Sequence, residues 1–438
     1  MSRTTNNRLQ MHSFVAAIHG SFHSMGSWKH KYNETYDTRK TGYWKAIAQV
    51  AERGKFDSIF IADNLAAYDT YEDSCESTIE NGVQFPQHDP LLHVPLISEV
   101  TDNLGIAVTM SATYYQPYLL ARKLSTLDHI TNGRIGWNIV TSLNDNEAKN
   151  MGLNEVIPHD QRYERADEYM RVVGKLWNSW KGDPTKGESK DVYADADDVP
   201  RIDHDGHYFT IPGPFPVTPS PQGKPVYFQA GQSDRGREFA AQHAEAIFTA
   251  QPTDRIDLVQ DYVNDIRKRA KNKNRNPENI SIIQSVLPII GETEESAQNQ
   301  LMKIKDMSNY ESGMALLSGH TNHDFSQYDP DKPISKLDVE GSQGMLEMIV
   351  DSNHETLREA ATQYGIGSHH NLTGTPKQIA DSLETLADEG GVDGFNIIEL
   401  YRPGTLFDFV EKVIPILQER NRVRMEYTGN TFRDNLRS

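Results

Sequence analysis

Several polar side chains follow apolar, strand-like runs of the sequence. They include an acid, hydroxyl groups and amides, but no nucleophile–base pair and no two closely spaced carboxylates. Such a set suits the binding of a cofactor with a polar ring better than it suits acid–base hydrolysis. In chain order, these candidate residues are Asp63, Thr109, Asn138, Ser142, Gly231, Gln232 and Ser233.

A serine at the start of a helical pattern is a candidate anion site. Ser233 directly precedes the helical segment 235–244 and closely follows Gly231. A serine N-cap leaves backbone amides that can bind an anion, although the same arrangement serves as ordinary capping, so both interpretations remain open. His159 and Tyr163 lie at the start of an earlier helix, and Tyr163 equally suits a place in the core.

Other common sites find no support in the sequence. There is no Gly-x-Gly-x-x-Gly dinucleotide fingerprint; residues 365–370 come nearest, but they lack the third glycine and do not follow a strand. There is no Gly-Lys-Ser/Thr phosphate loop. His19 and His23 have the i, i+4 spacing of metal ligands on a helix, but Gly20 and Ser21 disfavour that helix. We therefore predict no metal site.

Composition limits the compartment and the partners. The 438 residues carry a formal net charge of −18, which disfavours nonspecific nucleic-acid binding and anionic membrane surfaces. The sequence has no run of about 18 apolar residues, and its N-terminus lacks the apolar core of a signal peptide. Cys75 is the single cysteine, so an internal disulfide is impossible. We expect a cytoplasmic protein without nucleic-acid or membrane partners.

The elements that must position these residues alternate along the whole chain. Eight strand-like segments are each followed by a helical pattern, which predicts a (β/α)₈ TIM barrel with the strand ends at one mouth. We predict one domain over residues 1–438, with insertions at the C-terminal face at about 182–207 and 308–372. A doubly wound sheet is the alternative. The predicted strands are 11–18, 58–63, 104–109, 134–142, 225–230, 245–250, 280–290 and 393–400.

The strand at 134–142 shows how the two sides of the ring are expected to differ. Alternation places Ile135, Trp137 and Ile139 on one side, where they are bulky enough to pack against helices. Gly136 and Asn138 lie on the other side. Small residues beside a mid-strand amide suggest that something other than a side chain fills that space, while an Asn satisfied by neighbouring backbone is the alternative.

Longer motifs complete the pattern. They are residues 58–63, 107–114, 124–142, 159–163, 228–236, 373–376, 393–396 and 415–420. Through these motifs, and over nearly its full length, the chain resembles the bacterial-luciferase-like flavin monooxygenases. More narrowly, it resembles the nitrilotriacetate/long-chain-alkane monooxygenase branch of that family.

The resemblance implies a luciferase-like barrel that binds reduced FMN supplied by a separate NAD(P)H:flavin reductase. The flavin reacts with O₂ to form a C4a-peroxyflavin, which oxygenates a small organic substrate. The family also suggests a homo-oligomer, a dimer or tetramer. Asp63, Thr109 and Asn138 would lie near the ring system, and Tyr163 and Ser233 would hold the phosphate. The full set of implied flavin contacts is Asp63, Thr109, Asn138, Ser142, His159, Tyr163, Gly231, Gln232 and Ser233.

Two further residues match the alkane-oxidising members. Tyr68 and Gln84 resemble their pocket Tyr and Gln, so both are candidate catalytic residues. This chain departs from those members at Leu143, where they have His, and near Ala17, where they have Cys. The departures put alkane hydroxylation itself in doubt. His19, His23 or His320 are the candidates for a replacement imidazole, although a loop histidine is usually only solvated.

Two other functions remain as alternatives. A barrel of the same superfamily could use a deazaflavin to transfer hydride without O₂, or the chain could be a non-catalytic flavin-binding barrel. The Tyr68 and Gln84 motifs argue against the first, and the intact set of flavin-facing polar residues argues against the second. The substrate class stays open among alkanes, aminopolycarboxylates, sulfones and thioethers. We also predict that the insertion at 308–372 covers the flavin.

Overall fold

A closed ring of parallel strands is the centre of the structure, a computed structural model that describes residues 8–30, 37–182, 193–332, 356–401 and 403–438. The strands are β1 (Gln10–Ala16), β2 (Ser58–Ala62), β3 (Gly105–Ser111), β4 (Ile135–Val140), β5 (His204–Asp205), β6 (Thr210–Ile211), β7 (Val226–Gln229), β8 (Ala246–Thr249), β9 (Ser281–Ile290), β10 (Asn371–Gly374) and β11 (Gly394–Ile398). The ring runs β1-β2-β3-β4-β7-β8-β9-β11 and closes where β11 pairs with β1.

This ring confirms the prediction of a (β/α)₈ barrel. The doubly wound alternative is wrong, because an open sheet would leave two unpaired edges where β9 here pairs with both β8 and β11. Each predicted strand overlaps one strand of the ring. The sequence analysis missed β10, which adds to β9 outside the ring, and the antiparallel hairpin β5–β6. These strands are two to four residues long, too short for a periodic pattern.

Helices separate the successive strands and cover the outside of the ring. They are α1 (Thr41–Arg53), α2 (Glu76–Asn81), α3 (Val94–Ser98), α4 (Pro117–Ile130), α5 (Asp145–Asn150), α6 (His159–Trp177), α7 (Asp234–His243), α8 (Ile256–Asn272), α9 (Glu294–Met307), α10 (Tyr310–Thr321), α11 (Leu357–Gly365), α12 (Pro376–Asp388), α13 (Gly404–Asp408), α14 (Ile414–Glu419) and α15 (Phe432–Arg437). A π-helical turn, Phe409–Val413, joins α13 to α14. Within the described ranges, no helix combines the length and apolar character that a membrane span requires.

The two faces of each strand belong to different cores, as alternation predicts. Ile135, Trp137 and Ile139 of β4 lie in the outer core between ring and helices, and all three are buried. The inner core fills the ring with aromatic and aliphatic side chains, among them Phe228 and Phe248, whose rings stack with centroids 5.3 Å apart. Burial on both faces explains why most ring strands are nearly continuous apolar runs.

The C-terminal helix closes the N-terminal end of the ring. Phe432 of α15 is fully buried there, stacked on Phe228 with 5.8 Å between ring centroids. Gly105 and Gly136 make room for it, because a Cβ at Gly136 would lie 3.1 Å from the Phe432 ring and 2.9 Å from Phe228. The expectation that a non-protein group fills the space beside Gly136 is therefore wrong, since a side chain from the end of the chain occupies it.

The described parts of the two predicted insertions contain defined elements. The first contains β5, whose hairpin partner β6 lies just beyond the predicted end at residue 207. The second contains α10 and α11, which pack on each other in a third cluster that includes Phe325 and Leu357. Residues 183–192 and 333–355 of these segments lie outside the described residues. The single domain over residues 1–438, including residues 183–192 and 333–355, stays a prediction.

Candidate active site

Asn138 and Thr109 lie side by side near the carboxyl ends of β4 and β3. Asn138 Nδ2 donates a hydrogen bond to Thr109 Oγ1 at 3.0 Å, so the amide is not satisfied by backbone as the alternative interpretation proposed. Asn138 Oδ1 is buried and accepts no hydrogen bond from the described residues. Because an unsatisfied buried acceptor costs about 1–3 kcal/mol, this oxygen indicates a ligand that donates a hydrogen bond.

Asp63 follows β2 at the same mouth and accepts a hydrogen bond from Gln87 Nε2 at 2.9 Å. Burial, together with the nearby carboxylates of Asp89 and Glu147, raises the pKa of Asp63 to about 8. The side chain is therefore a neutral carboxylic acid at pH 7, which can both donate and accept a hydrogen bond.

Replacing Asp63 with asparagine is expected to stabilise the ligand-free protein by up to roughly 5 kcal/mol at pH 8. The pKa of Asp63 is about 8 in the folded protein against an ordinary value of 3.8, so between these limits the unfolded chain ionises while the folded chain keeps its proton. This carboxyl therefore lowers the free energy of unfolding as pH rises from about 4 to 8. Urea denaturation from pH 4 to 9 should show a shallower decline for Asp63→Asn. The exposed Asp102→Asn is the control, and parallel curves for Asp63→Asn and wild type would contradict the prediction.

Ser142 ends the β4 segment with a left-handed backbone, φ 47°. Its hydroxyl donates to Ser111 Oγ of β3 at 3.0 Å. The buried Glu147, whose pKa is raised by burial, also interacts with the Ser142 hydroxyl and accepts from the Leu65 backbone amide at 2.9 Å. A non-glycine residue at positive φ is held there by its surroundings, so these contacts fix Ser142 at the mouth.

Ser233, His159 and Tyr163 converge at the N-terminus of α7. Ser233 is the N-cap, as predicted, and its Oγ accepts a hydrogen bond from the Gly236 amide at 3.1 Å. His159 Nε2 lies 3.2 Å from Ser233 Oγ, and the Tyr163 hydroxyl interacts with Ser233 and Thr141. Tyr163 is also part of the outer core, as the alternative interpretation of this residue predicted. The positive end of the helix and three hydroxyl or imidazole groups form a cradle suited to a phosphate.

Gly231 and Gln232 shape the turn that leads into this cradle. A Cβ at Gly231 would lie 2.8 Å from the Gly236 backbone, so only glycine lets the turn approach α7 this closely. Gln232 Nε2 donates to the Phe248 carbonyl at 3.4 Å, and its Oε1 accepts from Gln251 at 3.3 Å. Gln232 therefore connects the ends of β7 and β8.

Tyr68 and Gln84 form a hydrogen-bonded pair at another part of the mouth. The Tyr68 hydroxyl donates to Gln84 Oε1 at 2.8 Å, and Asn64 Nδ2 donates to both, at 2.7 Å to the hydroxyl and 2.6 Å to Oε1. Gln84 Nε2 donates to the Phe22 carbonyl at 2.8 Å and lies 3.2 Å from His320 Nε2. Burial raises the pKa of Tyr68 well above its ordinary value, so its hydroxyl stays protonated.

His320 of α10 is the candidate imidazole that contacts the Tyr68–Gln84 pair. Its Nδ1 lies 2.6 Å from the Tyr364 hydroxyl, and its ring packs edge-on against Tyr68. Burial lowers the pKa of His320 to about 4, so the ring is neutral at pH 7. His19, by contrast, is exposed, and Leu143 is 37% exposed where the alkane-oxidising members carry their histidine. The insertion therefore places a neutral imidazole beside the Tyr68–Gln84 pair.

A second group of histidines lies beside this cluster. His23 packs against Phe14 at 4.8 Å and against His370 at 5.4 Å, measured between ring centroids. Burial lowers the pKa of His23 to about 3 and that of His370 well below its ordinary value. No group of three or more potential metal ligands occurs among the described residues.

Sequence reasoning missed four of these contact residues. Asn64 and Gln87 adjoin motifs that it did use, so their positions beside Asp63 and Gln84 were within reach. Tyr364 and Glu147 carried no signal, because each becomes part of the site only when a helix outside the ring folds over the mouth.

Comparison with known proteins places this geometry in context. The luciferase-like monooxygenase family model matches residues 20–394. The chain is 40% identical to a long-chain alkane monooxygenase of Geobacillus thermodenitrificans, over 94% of this chain and 90% of that protein. It is 38% identical to a dimethyl-sulfide monooxygenase of Hyphomicrobium sulfonivorans, over 95% and 88%.

Two more similarities concern the branch and the fold. The chain is 35% identical to component A of nitrilotriacetate monooxygenase from Aminobacter aminovorans, over 94% of this chain and 93% of that protein. The crystal structure of a long-chain alkane monooxygenase superposes with a TM-score of 0.89 at 36% identity, covering 100% of this chain and 96% of the other. Both relatives named in the predicted branch are thus similar over nearly the whole chain.

Proposed function

The chain belongs to the luciferase-like monooxygenase family, and we propose that it is the FMN-dependent oxygenase component of a two-component system. It is a flavin-dependent monooxygenase. The reaction consumes one O₂ and one reduced flavin per substrate, places one oxygen atom in the product and releases the other as water. The observation that carries the flavin site is the buried Asn138 Oδ1 beside Thr109, which accepts no hydrogen bond from the part of the chain that the structure describes.

FMN is the flavin that this mouth fits best. Ser233 Oγ caps α7 while His159 Nε2 lies within 3.2 Å, and Tyr163 adds a hydroxyl from α6. Riboflavin, which has no phosphate, would leave the cradle at Ser233 without a ligand. In this proposal Asp63, Thr109, Asn138 and Ser142 would hold the ring system of the flavin, and the turn at Gly231 and Gln232 would help Ser233 to hold its phosphate. Bound reduced FMN supplies the activation of O₂.

The chain's own residues hold protons and position the substrate. Tyr68 keeps its hydroxyl proton directed at Gln84 Oε1 over 2.8 Å. Gln84 is fixed in turn by Asn64 and by the Phe22 carbonyl, and His320 closes the cluster as a neutral ring. Because these hydrogen bonds hold the Tyr68 ring and the Gln84 amide in place, the Tyr68 O–H bond needs only to turn away from Gln84 Oε1 to donate to charge that develops on oxygen. Tyr68 and Gln84 are the proposed catalytic residues, with His320 beside them.

We propose a substrate that is uncharged where it meets Tyr68 and Gln84. Phe22 adjoins this cluster, and His23 and His320 are neutral because burial lowers the pKa values of both, to about 3 and 4. Neither residue can pair with a carboxylate at pH 7. A polycarboxylate such as nitrilotriacetate would therefore lose hydration here without gaining an ion pair. We expect turnover of a neutral dialkyl sulfide, and none of nitrilotriacetate, in the assay below.

The reduced flavin must come from another protein in this proposal. The chain has no dinucleotide fingerprint, so a separate NAD(P)H:flavin reductase is the proposed partner. A homo-oligomer, dimer or tetramer, and a cytoplasmic location are also carried forward as proposals. We also propose that the insertion at 308–372 covers the flavin, because α10 of this insertion places His320 beside Gln84.

A coupled assay tests the function. The protein, FMN, NADH and a generic flavin reductase are mixed with candidate substrates under ¹⁸O₂, and products are analysed by mass spectrometry. We expect one ¹⁸O atom per product molecule and NADH consumption that depends on substrate. A reduced or dehydrogenated product without ¹⁸O would support the deazaflavin-type alternative. Tight FMN binding without turnover of any substrate would support the non-catalytic barrel.

Ser233→Ala is expected to weaken FMN affinity about fivefold, or about 1 kcal/mol, because the cap and one phosphate donor are lost together. The matched control is Thr431→Ala, which removes the N-cap of α15 at the opposite end of the barrel. Fluorescence titration of both variants gives the comparison. Equal FMN affinities for wild type and Ser233→Ala would mean that the phosphate binds elsewhere.

A further inference from the structure

A cavity of about 630 Å³ lies at the end of the barrel opposite the candidate active site. Its wall includes Lys224, Glu245 and Asn279, which lie one or two residues before β7, β8 and β9. The C-terminal ends of α6 and α7 and the last helix, α15, complete it. The flavin-facing residues follow the opposite, carboxyl ends of the strands, so this cavity is separate from the mouth.

Positive charge is concentrated in this cavity. Four cationic side chains line it, Lys224, Arg275, Arg433 and Arg437, and the single carboxylate among the lining residues is Glu245. The whole chain carries a net charge of −18, so this grouping runs against the overall charge of the protein. Like charges held together in a partly buried place repel one another unless an anion lies between them.

Internal pairing accounts for only part of this charge. Buried Glu245 accepts from Arg433 Nε at 2.7 Å and from Arg437 at 3.0 Å. Arg433 also donates to the backbone carbonyls of Gln222 and Lys224, so most of its donors are already used. Arg275 donates to the carbonyls of Ala241 and Ala244 at the end of α7. These carbonyls carry only partial charges, so the full charge of Arg275 has no carboxylate partner among the described residues.

Lys224 is the cation with the weakest internal compensation. Its Nζ lies 4.6 Å from the centre of the Tyr227 ring, and it makes no hydrogen bond to any described residue. Burial, with repulsion from Arg433, Arg275 and Arg437, lowers the pKa of Lys224, although Glu245 opposes the shift. The ammonium group is thus held at the cavity wall with free donors.

We propose that this cavity binds a small phosphate-bearing anion, either free phosphate or a phosphomonoester, held by Lys224 with Arg275 and Arg437. A dianionic oxyanion offsets more than one of the surplus charges and accepts from ammonium and guanidinium donors in the geometry they prefer. The side-chain amide of Asn279 adds a neutral donor at the wall. The inference is independent of the proposed oxygenase reaction.

Calorimetric titration of the FMN-saturated protein tests this site, since bound FMN keeps phosphate out of the Ser233 cradle. Inorganic phosphate, glycerol 2-phosphate and citrate are compared at constant ionic strength. We expect saturable binding of one or both phosphate probes and none of citrate. Tighter binding of glycerol 2-phosphate would identify a phosphomonoester, and tighter binding of phosphate the free ion.

Lys224→Met and Arg437→Gln should each weaken this binding at least tenfold, while Lys268→Met, at an exposed lysine of α8, should leave it unchanged. Thermal melts of each variant verify that it is folded. Binding that survives both cavity substitutions, equal binding of citrate, or no saturable binding below about 10 mM would overturn the proposal.

Discussion

Gln84→Leu is expected to lower kcat/KM for substrate oxygenation by about 100-fold. The substitution removes the acceptor of the Tyr68 hydroxyl and the donor to the Phe22 carbonyl in one step. The Tyr68 hydroxyl and the Phe22 carbonyl then each lose a hydrogen-bond partner in a buried cluster. Each loss costs about 1–3 kcal/mol unless the group changes its orientation. The loss should fall mainly on kcat, because the cluster is proposed to act on developing charge. The coupled assay with saturating FMN measures it.

The backbone conformation at Gln84 determines which control variants are suitable. Its φ of 48° is in the left-handed region, where leucine is strained but asparagine is tolerated. Gln84→Asn therefore tests the loss of the side-chain hydrogen bonds without adding backbone strain. It should lose as much activity as Gln84→Leu, because its shorter side chain cannot place the amide where it contacts both Tyr68 and the Phe22 carbonyl. Gln300→Leu, which removes one side-chain hydrogen bond on α9, is the remote control. Activity within threefold of wild type in both Gln84 variants would refute the proposed role.

Phe432→Ala is expected to lower the free energy of unfolding by about 3–5 kcal/mol. The ring is fully buried at the N-terminal end of the barrel, between Gly105, Gly136 and Phe228. The ladder of β-strand hydrogen bonds keeps the wall from collapsing into the space left behind, so the full cost of a cavity applies. Urea denaturation followed by circular dichroism measures the change.

Phe407→Ala provides the comparison for this stability prediction. Phe407 packs on the outer core but is only partly buried, so its loss should cost distinctly less. A Phe432→Ala variant that is destabilised by less than about 1 kcal/mol would mean that α15 does not close the barrel in solution. FMN affinity should stay unchanged in the folded fraction, because Phe432 lies at the end opposite Ser233.

Local sequence patterns were sufficient to predict the features that depend on a single segment of the chain. The strand that contains Trp137 placed its bulky residues on the helix side, as alternation predicts, and Ser233 is the helix cap that its position before α7 predicts. Eight alternating segments predicted the closed ring, because parallel strands joined by helices have few ways to bury both faces.

Contacts between distant segments were beyond such patterns. The residue that fills the space beside Gly136 comes from position 432, and the imidazole beside Gln84 comes from position 320. Neither partner has a spacing relation to the residue it meets. The cationic residues of the cavity at the opposite end of the barrel likewise come from distant positions, 224, 275, 433 and 437, and none of them belongs to a motif used in the sequence analysis.

By itself, the sequence determined the barrel, the family and the identity of the polar residues at the strand ends, because each depends on local periodicity or on contiguous motifs. Only the tertiary structure decided which atoms remain free. Among the described residues, Asn138 Oδ1 and Lys224 Nζ have no hydrogen-bond partner, and His320 is neutral, because burial and hydrogen bonding are set by everything that packs around a group. Those surroundings are assembled from the whole chain, so no single stretch of residues encodes them.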